Sequence, residues 1–261
     1  MKTPLGFYGG KFLLARWIAR QLPIRGGYFE PFAGMASVLL ARPPSRVEML
    51  VDANPAVCDW WRVMQDPATR AQLIDRLEWT GLDDATYLRA LDAWSHDDLV
   101  MRAWAFAVCA MRQIAFGGTL REASARRAQY VKSTVTGKSV ARRIIALRDR
   151  LAHVQIINAD AKETLERVTG HQENVIYLDP PYRGAHTAQY HTQTTIDDFV
   201  DLLVDQPACI ALSGPGHPAL DDDGWTCHTI PHAVTASAKH RETISEFLWL
   251  NRRCDGQRAL W

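Results

Sequence analysis

Several markers of common protein classes are missing from this sequence of 261 residues. It has only five cysteines and no Cys-x-x-Cys pair, which argues against a disulfide framework and against a cysteine-rich zinc site. None of its nine histidines belongs to a His-Glu-x-x-His motif, and the sequence predicts no metal site. No uncharged apolar run reaches about 18 residues, and the longest apolar stretch, 99–111, contains Arg102, so no membrane span is expected.

The amino-terminal residues also lack the apolar core of a signal peptide, and a cytoplasmic location is therefore expected. Low-complexity tracts and internal repeats are absent. Because hydrophobic residues also make up 47% of the chain, disorder is excluded over most of its length. A chain of this size can bury a full core, either as one large α/β domain or as a core domain with an insertion.

Charge is unevenly distributed along the chain, although the net charge is only +1. Ten basic residues and only two acidic residues lie between Arg112 and Arg150, which gives this segment a net charge of +8. Such a segment is typical of a surface that contacts a polyanion, although a solvated helix face would have the same composition.

Hydrophobic patterns divide the chain into a split α/β part and a helical part, 56–150, between its halves. Short apolar runs typical of buried strands lie at 28–30, 47–51, 154–158, 175–178, 209–213, 225–230 and 244–250. Helical patterns at 161–169 and 195–205 separate several of these runs, which predicts a mainly parallel sheet with helices on both faces. No helical pattern separates the last two runs, and we expect them to form an antiparallel hairpin at the sheet edge.

The sequence Asp179-Pro180-Pro181-Tyr182 follows directly after the apolar run 175–178. Ligands of open α/β sheets bind outside the carboxyl ends of the strands, so this position places a carboxylate over a cleft. The prolines have a fixed φ and no N–H, which leaves their carbonyl oxygens as rigid acceptors. With the flat tyrosine ring, these groups suit a planar ligand that carries an exocyclic amine; a simple strand-ending turn is the alternative.

A second loop, 30–37, follows the first predicted strand and precedes a helix. Gly34 permits a tight turn or a close approach of the backbone, and Ser37 is a candidate cap of the helix. The loop lacks the Gly-x-Gly-x-x-Gly fingerprint, which disfavours NAD. Asp52, about 20 residues further on, ends the next strand, where an acidic residue commonly binds ribose hydroxyls; capping of the helix that starts near Asn54 is the alternative.

Taken in order, these elements resemble the motifs of the Dam-like (D12 class) adenine-N6 DNA methyltransferases. Residues 7–11, Phe-Tyr-Gly-Gly-Lys, are similar to the amino-terminal element of that family, and 30–37 is similar to its Glu-Pro-Phe-x-Gly-x-Gly-Ser cofactor loop. Residues 179–182 match its catalytic Asp-Pro-Pro-Tyr without change. Ala36 stands where the family has its second loop glycine, and we expect this change to be tolerated because Gly34 is retained.

The resemblance implies the fold and its division into domains. We expect a Rossmann-like S-adenosylmethionine-dependent methyltransferase fold, in which a mainly parallel seven-stranded sheet has an antiparallel carboxy-terminal edge. Residues 1–55 and 151–261 would form a split catalytic domain. A mostly helical insertion, 56–150, would form the target-recognition domain.

Site residues and ligands also follow from the resemblance. S-adenosylmethionine would be the methyl donor, with Asp52 on its ribose, Asp160 on its adenine and Lys11 near its methionine carboxylate. The cofactor-binding residues would be Phe7, Tyr8, Lys11, Glu30, Pro31, Phe32, Gly34, Ser37, Asp52, Asp160 and Asp179. The catalytic residues would be Asp179, Pro180, Pro181 and Tyr182. The DNA-binding residues would be Arg121, Arg126, Arg127, Lys132 and Lys138.

The implied activity is methyl transfer to the N6 amine of adenine at a specific sequence of double-stranded DNA, by base flipping and direct attack. An RNA adenine or a DNA cytosine-N4 methyltransferase is the first alternative, because Asp-Pro-Pro-Tyr suits several amino-group acceptors. A DNA-binding protein without catalysis is the second alternative, and Ala36 is its only support. A cognate restriction endonuclease is a compatible partner, and the sequence does not assign the recognition site.

Overall fold

A seven-stranded sheet forms the centre of the protein, whose computed structural model describes residues 3–6, 11–113, 136–181, 194–214, 217–233 and 243–254. The strands are β1 (Gly27–Glu30), β2 (Val47–Asp52), β3 (Val154–Asn158), β4 (Asn174–Leu178), β5 (Cys209–Ser213), β6 (Thr226–Ala233) and β7 (Thr243–Leu250). Their order is β3-β2-β1-β4-β5-β7-β6. Strands β1 to β5 pair in parallel, whereas β7 is antiparallel to both β5 and β6. The predicted fold class is confirmed.

Helices connect the parallel strands and build the insertion. They are α1 (Ala15–Gln21), α2 (Ser37–Ala41), α3 (Pro55–Gln65), α4 (Pro67–Glu78), α5 (Asp84–Ala93), α6 (Leu99–Gln113), α7 (Gly137–Ile145), α8 (Ala161–Val168) and α9 (Pro218–Asp222). Several begin at side chains that accept hydrogen bonds from the first turn, as the N-cap preference for Asn, Asp and Thr predicts. Within the described residues, no helix is both long and apolar enough to cross a membrane.

The two faces of the sheet are buried against different helices. Side chains of a strand alternate between faces, so Val175 and Tyr177 of β4 join one apolar cluster while Ile176 and Leu178 join another. The first cluster also contains α1, α2 and the helices α3 to α7. The second cluster contains α8 and the 3₁₀ turns described below. The central strands β1, β4 and β5 are therefore buried on both sides, which explains their continuous apolar runs.

Helices α3, α4 and α5 pack against α6, and α7 packs against α4. Phe106 of α6 is fully buried next to Trp60 of α3. This helical layer continues into the apolar cluster on one face of the sheet. The helical character predicted for 56–150 therefore agrees with its described residues. The division into a catalytic and a target-recognition domain stays a prediction.

The helix predicted over 195–205 is wrong in type. The structure has two short 3₁₀ turns there, Ile196–Asp198 and Val200–Leu202. Phe199, between them, has a φ of −142°, which interrupts any continuous α-helix. Its ring is fully buried and lies 5.7 Å from the ring of Phe32, so packing fixes this irregular segment.

A disulfide links Cys209 of β5 with Cys254, although the cysteine count argued against such bonds. Asn251 explains the proximity of the two residues. Its side chain accepts from Ile210 N at 3.0 Å and donates to Ala208 O at 2.8 Å, which ties the turn after β7 to the start of β5. Because these contacts join distant parts of the chain, cysteine spacing alone could not reveal the pair.

Candidate active site

The carboxyl ends of three adjacent strands carry the predicted acidic residues. Strands β2, β1 and β4 are neighbours and run in parallel, so their carboxyl ends lie side by side. Glu30 is the last residue of β1, Asp52 is the last residue of β2, and Asp179 follows the last residue of β4. The sheet therefore brings these carboxylates to one edge, which is where ligands of open α/β sheets bind.

Asp179 is held by a lysine from the amino-terminal segment. The Nζ of Lys11 lies 2.8 Å from Asp179 Oδ1 and 3.0 Å from Glu246 Oε1. Burial raises the pKa of Asp179, while Lys11 lowers it and Glu246 raises it. The predicted contact of Lys11 with a methionine carboxylate stays a prediction, and the structure gives this ammonium two carboxylate partners of its own.

Two prolines follow Asp179, and both are buried. Neither has an N–H, so the backbone here offers only acceptors. Near the end of β4, the hydroxyl of Tyr177 lies 2.8 Å from Ser213 Oγ, which joins β4 to the last residue of β5. Pro180 and Pro181 thus stand where the sequence placed them, whereas Tyr182 lies outside the described residues.

The loop between β1 and α2 is fastened to its surroundings through Gly34. The N–H of Gly34 donates to Asp52 Oδ2 at 2.8 Å, and its carbonyl accepts from Trp61 Nε1 at 2.8 Å. Gly34 has a φ of +42°, and a Cβ added there would meet no atom within 4 Å. The loop therefore presents open space in front of Gly34. Phe32 and Ser37 are also partly exposed, whereas Ala33 is buried.

Asp52 organises this loop and does not cap a helix. Its Oδ1 accepts from Asn54 N at 2.8 Å, and the cap of α3 is Asn54, whose side chain accepts from Ala56 N. Burial raises the pKa of Asp52 to about 6, although the hydrogen bonds from Asn54 and Gly34 lower it. A partly exposed carboxylate in this position can still accept hydrogen bonds from a ligand.

Glu30 supports the loop from within the protein. Its side chain is 2% exposed, and Oε1 accepts from Tyr28 Oη at 2.7 Å and from Leu39 N at 2.6 Å. Burial raises the pKa of Glu30 to about 7. The second bond satisfies a free N–H in the first turn of α2, so Glu30 performs the capping that the sequence assigned to Ser37. That prediction for Ser37 is wrong, because Ser37 is the first residue of α2.

Ala36 adopts a conformation that usually favours glycine. Its φ of 45° and ψ of 40° lie in the left-handed region, and its side chain is buried. The loop thus keeps the backbone shape that the family's glycine would permit, at a conformational cost of roughly 1 kcal/mol. The expected tolerance of Ala36 agrees with this geometry, and its effect on cofactor affinity stays a prediction.

Asp160 begins α8 beyond the end of β3. Its Oδ1 accepts from Lys162 N at 2.8 Å, and its Oδ2 accepts from Thr194 Oγ1 at 2.8 Å. Asp160 is therefore the N-cap of α8, and it also binds Thr194, which precedes the first 3₁₀ turn. It is partly exposed, so binding of an adenine by its remaining lone pairs stays a prediction.

A family model described as D12 class N6 adenine-specific DNA methyltransferase matches residues 7–200. The chain belongs to this family. The match covers the amino-terminal element, the loop with Gly34, Asp52 and the Asp179 strand end. No curated protein sequence matches the chain.

Two solved structures resemble this D12-class methyltransferase weakly. The Escherichia coli protein yhhF is 14% identical, with a TM-score of 0.35, and the match covers 94% of this chain and 87% of yhhF. The precorrin-6y C5,15-methyltransferase of Geobacter metallireducens GS-15 is 13% identical, with a TM-score of 0.33. This match covers 90% of the present chain and 86% of the Geobacter chain. The family assignment therefore rests on the family model, and the description of the fold rests on the strand order of this structure.

Only part of the positive charge of the basic segment, residues 112–150, is available to a ligand. Arg112 and Arg150 are each 6% exposed and pair with Asp84 and Glu48. These two arginines serve the fold, which lowers the charge that the segment presents. Lys138 is exposed in the first turn of α7.

Among the described residues, no group of three His, Cys, Asp or Glu side chains could hold a metal ion.

Several predicted site residues fall outside the described part of the chain. The predicted cofactor and DNA contacts outside the described residues are Phe7, Tyr8, Arg121, Arg126, Arg127 and Lys132.

Two residues of the site were missed by sequence reasoning. Glu246 lies in the apolar run 244–250 and Trp61 lies in the helical part 56–150, and neither was a candidate site residue. In the structure Glu246 pairs with Lys11, and Trp61 holds Gly34. The only signal for Glu246 is an acidic residue directly before the apolar run Phe247–Leu250 of the strand.

Proposed function

We propose that the protein transfers a methyl group from S-adenosylmethionine to the N6 amine of adenine in a specific sequence of double-stranded DNA. The observation that carries the proposal is the position of Asp179. It lies directly beyond a central strand, is followed by two buried prolines and is held by Lys11. Family membership supports adenine as the acceptor and S-adenosylmethionine as the donor.

The residues at the carboxyl ends of β1 and β2 fit the cofactor. Gly34 leaves open space, Asp52 offers a carboxylate to ribose hydroxyls, and Phe32 offers a partly exposed ring. Bound there, S-adenosylmethionine supplies an electrophilic methyl group on a sulfonium. Glu30 supports the loop from behind. The further residues that we assign to cofactor binding are Phe7, Tyr8, Lys11, Pro31, Ser37, Asp160 and Asp179.

Asp179 and the Pro180 carbonyl are the acceptors that we assign to the exocyclic amine. Hydrogen bonds from the amine to these two groups draw its nitrogen towards sp³ geometry and free its lone pair. Lys11 contacts Oδ1 of Asp179, which leaves Oδ2 for the amine. Once methylated, the nitrogen loses a proton, for which the Asp179 carboxylate is the assigned acceptor.

Access to the amine requires the adenine to leave the base stack, because the site cannot reach it inside a duplex. We assign Tyr182 to stack on the flipped base, a contact that contributes about 1–3 kcal/mol. The assigned DNA contacts of the insertion are Arg121, Arg126, Arg127, Lys132 and Lys138. Contacts with phosphates by these residues would make affinity fall as salt rises.

The test is methyl transfer from labelled S-adenosylmethionine to unmodified DNA, followed by digestion to nucleosides and mass spectrometry. We expect N6-methyladenine, and sequencing of the product then gives the recognition site. The Asp179→Ala variant is the matched control. It should lose methyl transfer and keep most of its affinity for S-adenosylmethionine, because Asp179 is only one of the assigned cofactor contacts. Isothermal calorimetry measures this affinity.

Other outcomes would replace the proposal. N4-methylcytosine in the product would change the acceptor, and transfer to RNA but not to DNA would change the substrate. DNA binding without any binding of S-adenosylmethionine would indicate a non-catalytic protein. Near-normal turnover by Asp179→Ala would remove Asp179 from its assigned role.

A further inference from the structure

The Lys11 ammonium is shared by two carboxylates that come from distant parts of the chain. Its Nζ lies 2.8 Å from Asp179 Oδ1 and 3.0 Å from Glu246 Oε1. The three side chains are only 8%, 21% and 18% exposed, so solvent and salt screen their interactions weakly. None of the roles proposed above uses Glu246.

Glu246 reaches the catalytic edge because β7 runs antiparallel to β5. Leu248 of β7 lies opposite Ser213, the last residue of β5. Glu246 comes two residues earlier in β7, so it extends beyond the carboxyl end of β5. It therefore meets Lys11 at the same edge of the sheet as Asp179, which follows the neighbouring strand β4.

The charges of this group suit methyl transfer to an amine. With both carboxylates ionised, Glu246 adds one negative charge beside the ion pair of Lys11 and Asp179. Transfer from a sulfonium moves positive charge onto the accepting nitrogen, and a fixed negative charge in a poorly solvated site stabilises that change. The second carboxylate also anchors the ammonium at one oxygen of Asp179.

We propose that Glu246 is a positioning residue of the methyl-transfer site. It holds the Lys11 ammonium at Oδ1 of Asp179 and adds its own negative charge beside this pair. Asp179 can then offer its other oxygen to the exocyclic amine. Glu246 acts through Lys11 and Asp179, and this role rests on the amine methylation proposed above.

The pKa of Asp179 distinguishes this role of Glu246 from a purely structural one, because a purely structural role would leave this pKa unchanged. Burial raises the pKa of Asp179, Lys11 lowers it, and Glu246 raises it. Tyr177, which also faces Asp179, stays neutral because burial raises its own pKa well above the ordinary value. Removal of the Glu246 charge therefore lowers the pKa of Asp179, and removal of the Lys11 charge raises it.

The experiment compares Glu246→Gln and Lys11→Gln with Glu166→Gln, an exposed glutamate of α8 that serves as the matched control. Single-turnover methyl transfer is measured as a function of pH at saturating S-adenosylmethionine and DNA. We expect Glu246→Gln to slow the rate about tenfold or more, which corresponds to about 1.4 kcal/mol of barrier. The acid limb of its profile should move to lower pH, while that of Lys11→Gln moves to higher pH. Glu166→Gln should match the wild type.

Two results would overturn the role of Glu246. One is a Glu246→Gln enzyme with the wild-type rate and pH profile. The other is an acid limb that moves upward, in the same direction as for Lys11→Gln, which would indicate general damage to the site. Cofactor affinity measured by calorimetry should change less than the rate does, because Glu246 itself is not assigned to cofactor binding.

A second measurement separates this inference from the proposed function. If the wild-type protein methylates no adenine in DNA, the proposed function fails. Carbon-13 NMR titration of the Asp179 carboxyl in the DNA-free protein still shows whether the charge of Glu246 acts on Asp179. A lower pKa of Asp179 in Glu246→Gln than in the wild type supports the inference, and an unchanged pKa overturns it.

Discussion

The N–H of Gly34 donates to Asp52 Oδ2 at 2.8 Å, which ties the loop after β1 to the last residue of β2. The carbonyl of the same glycine accepts from Trp61 Nε1 at 2.8 Å. Both polar backbone atoms of Gly34 are therefore satisfied by the protein while the space in front of its Cα stays open. The loop is held in one shape by these bonds, so a ligand that approaches it does not have to order it first.

A methyl group added at Gly34 should reduce cofactor affinity more than it reduces stability. Gly34 has a φ of +42°, so the change Gly34→Ala costs roughly 1 kcal/mol of conformational strain. No protein atom lies within 4 Å of the added Cβ, so the protein itself offers no further clash. If the cofactor backs onto this glycine, the Kd for S-adenosylmethionine should rise at least tenfold, which calorimetry measures.

Gly224 provides the matched control for this change. It has a φ of +73° and also has no atom within 4 Å of an added Cβ, but it lies in the turn between α9 and β6. Gly224→Ala should lose a similar free energy of unfolding and keep wild-type cofactor affinity. Equal affinities for Gly34→Ala and the wild type would contradict the placement of the cofactor at this loop.

The buried carboxyl of Glu30 should make stability fall as pH rises. Its pKa is raised from 4.5 to about 7 in the folded protein, so the folded state holds a proton that the unfolded state releases. Stability from this group is complete below about pH 4.5 and is lost as pH rises towards 7, at about 1.4 kcal/mol per pH unit. Glu30→Gln has no proton to release and should lack this slope.

Urea unfolding followed by circular dichroism at several pH values between about 5 and 8 measures the effect. The free energy of unfolding of Glu30→Gln minus that of the wild type should increase by about 2–3 kcal/mol over this range. Glu166→Gln is the control, because Glu166 is exposed on α8 and should leave the slope unchanged. A constant difference between Glu30→Gln and the wild type would contradict the raised pKa.

The strained alanine of the loop predicts an unusual response to a glycine substitution. Ala36→Gly removes a buried methyl group but also relieves the left-handed strain at φ 45°, and each effect is worth about 1 kcal/mol. Ala33→Gly is the matched control, because Ala33 is also buried in the same loop and has no positive φ. Ala36→Gly should therefore destabilise the protein by about 1 kcal/mol less than Ala33→Gly, as measured by urea unfolding. Equal losses would show that Ala36 is not strained.

Contiguous patterns allowed much of the fold and part of the site to be predicted. The apolar run before Asp179 marks a buried strand, and the strand end fixes the position of the carboxylate without any long-range information. Asp52 could be placed at the same edge for the same reason. Its alternative reading as a helix cap was excluded only when the structure showed Asn54 in that position.

The residues that sequence reasoning missed contact the site across long sequence separations. Glu246 meets Lys11 only because β7 inserts between β5 and β6 in the sheet, and the sequence shows the strand but not its place. Trp61 lies within an apolar helical pattern, which predicts burial and gives no sign that its indole N–H binds Gly34. The pair Cys209–Cys254 was hidden for the same reason.

Charge reversal at two arginines of the basic segment should weaken DNA binding and its dependence on salt. Arg126 and Arg127 are adjacent in the sequence between Arg112 and Arg150, where basic residues greatly outnumber acidic ones. If both contact phosphates, the double variant Arg126→Glu, Arg127→Glu should bind a duplex more weakly. The slope of log affinity against log salt should then become less negative by about 1.8, since each phosphate contact contributes about 0.9.

Arg253 offers the control for this double variant. It is exposed, and its carbonyl accepts from Arg25, which precedes β1 at the edge opposite the proposed site. Arg253→Glu should therefore keep the wild-type salt slope, although it changes the net charge in the same direction. Fluorescence anisotropy of a labelled duplex over a range of salt concentrations measures both variants. An unchanged slope in the double variant would remove Arg126 and Arg127 from the DNA interface. A change about half as large in Arg253→Glu, which alters the net charge by half as much, would show that only net charge matters.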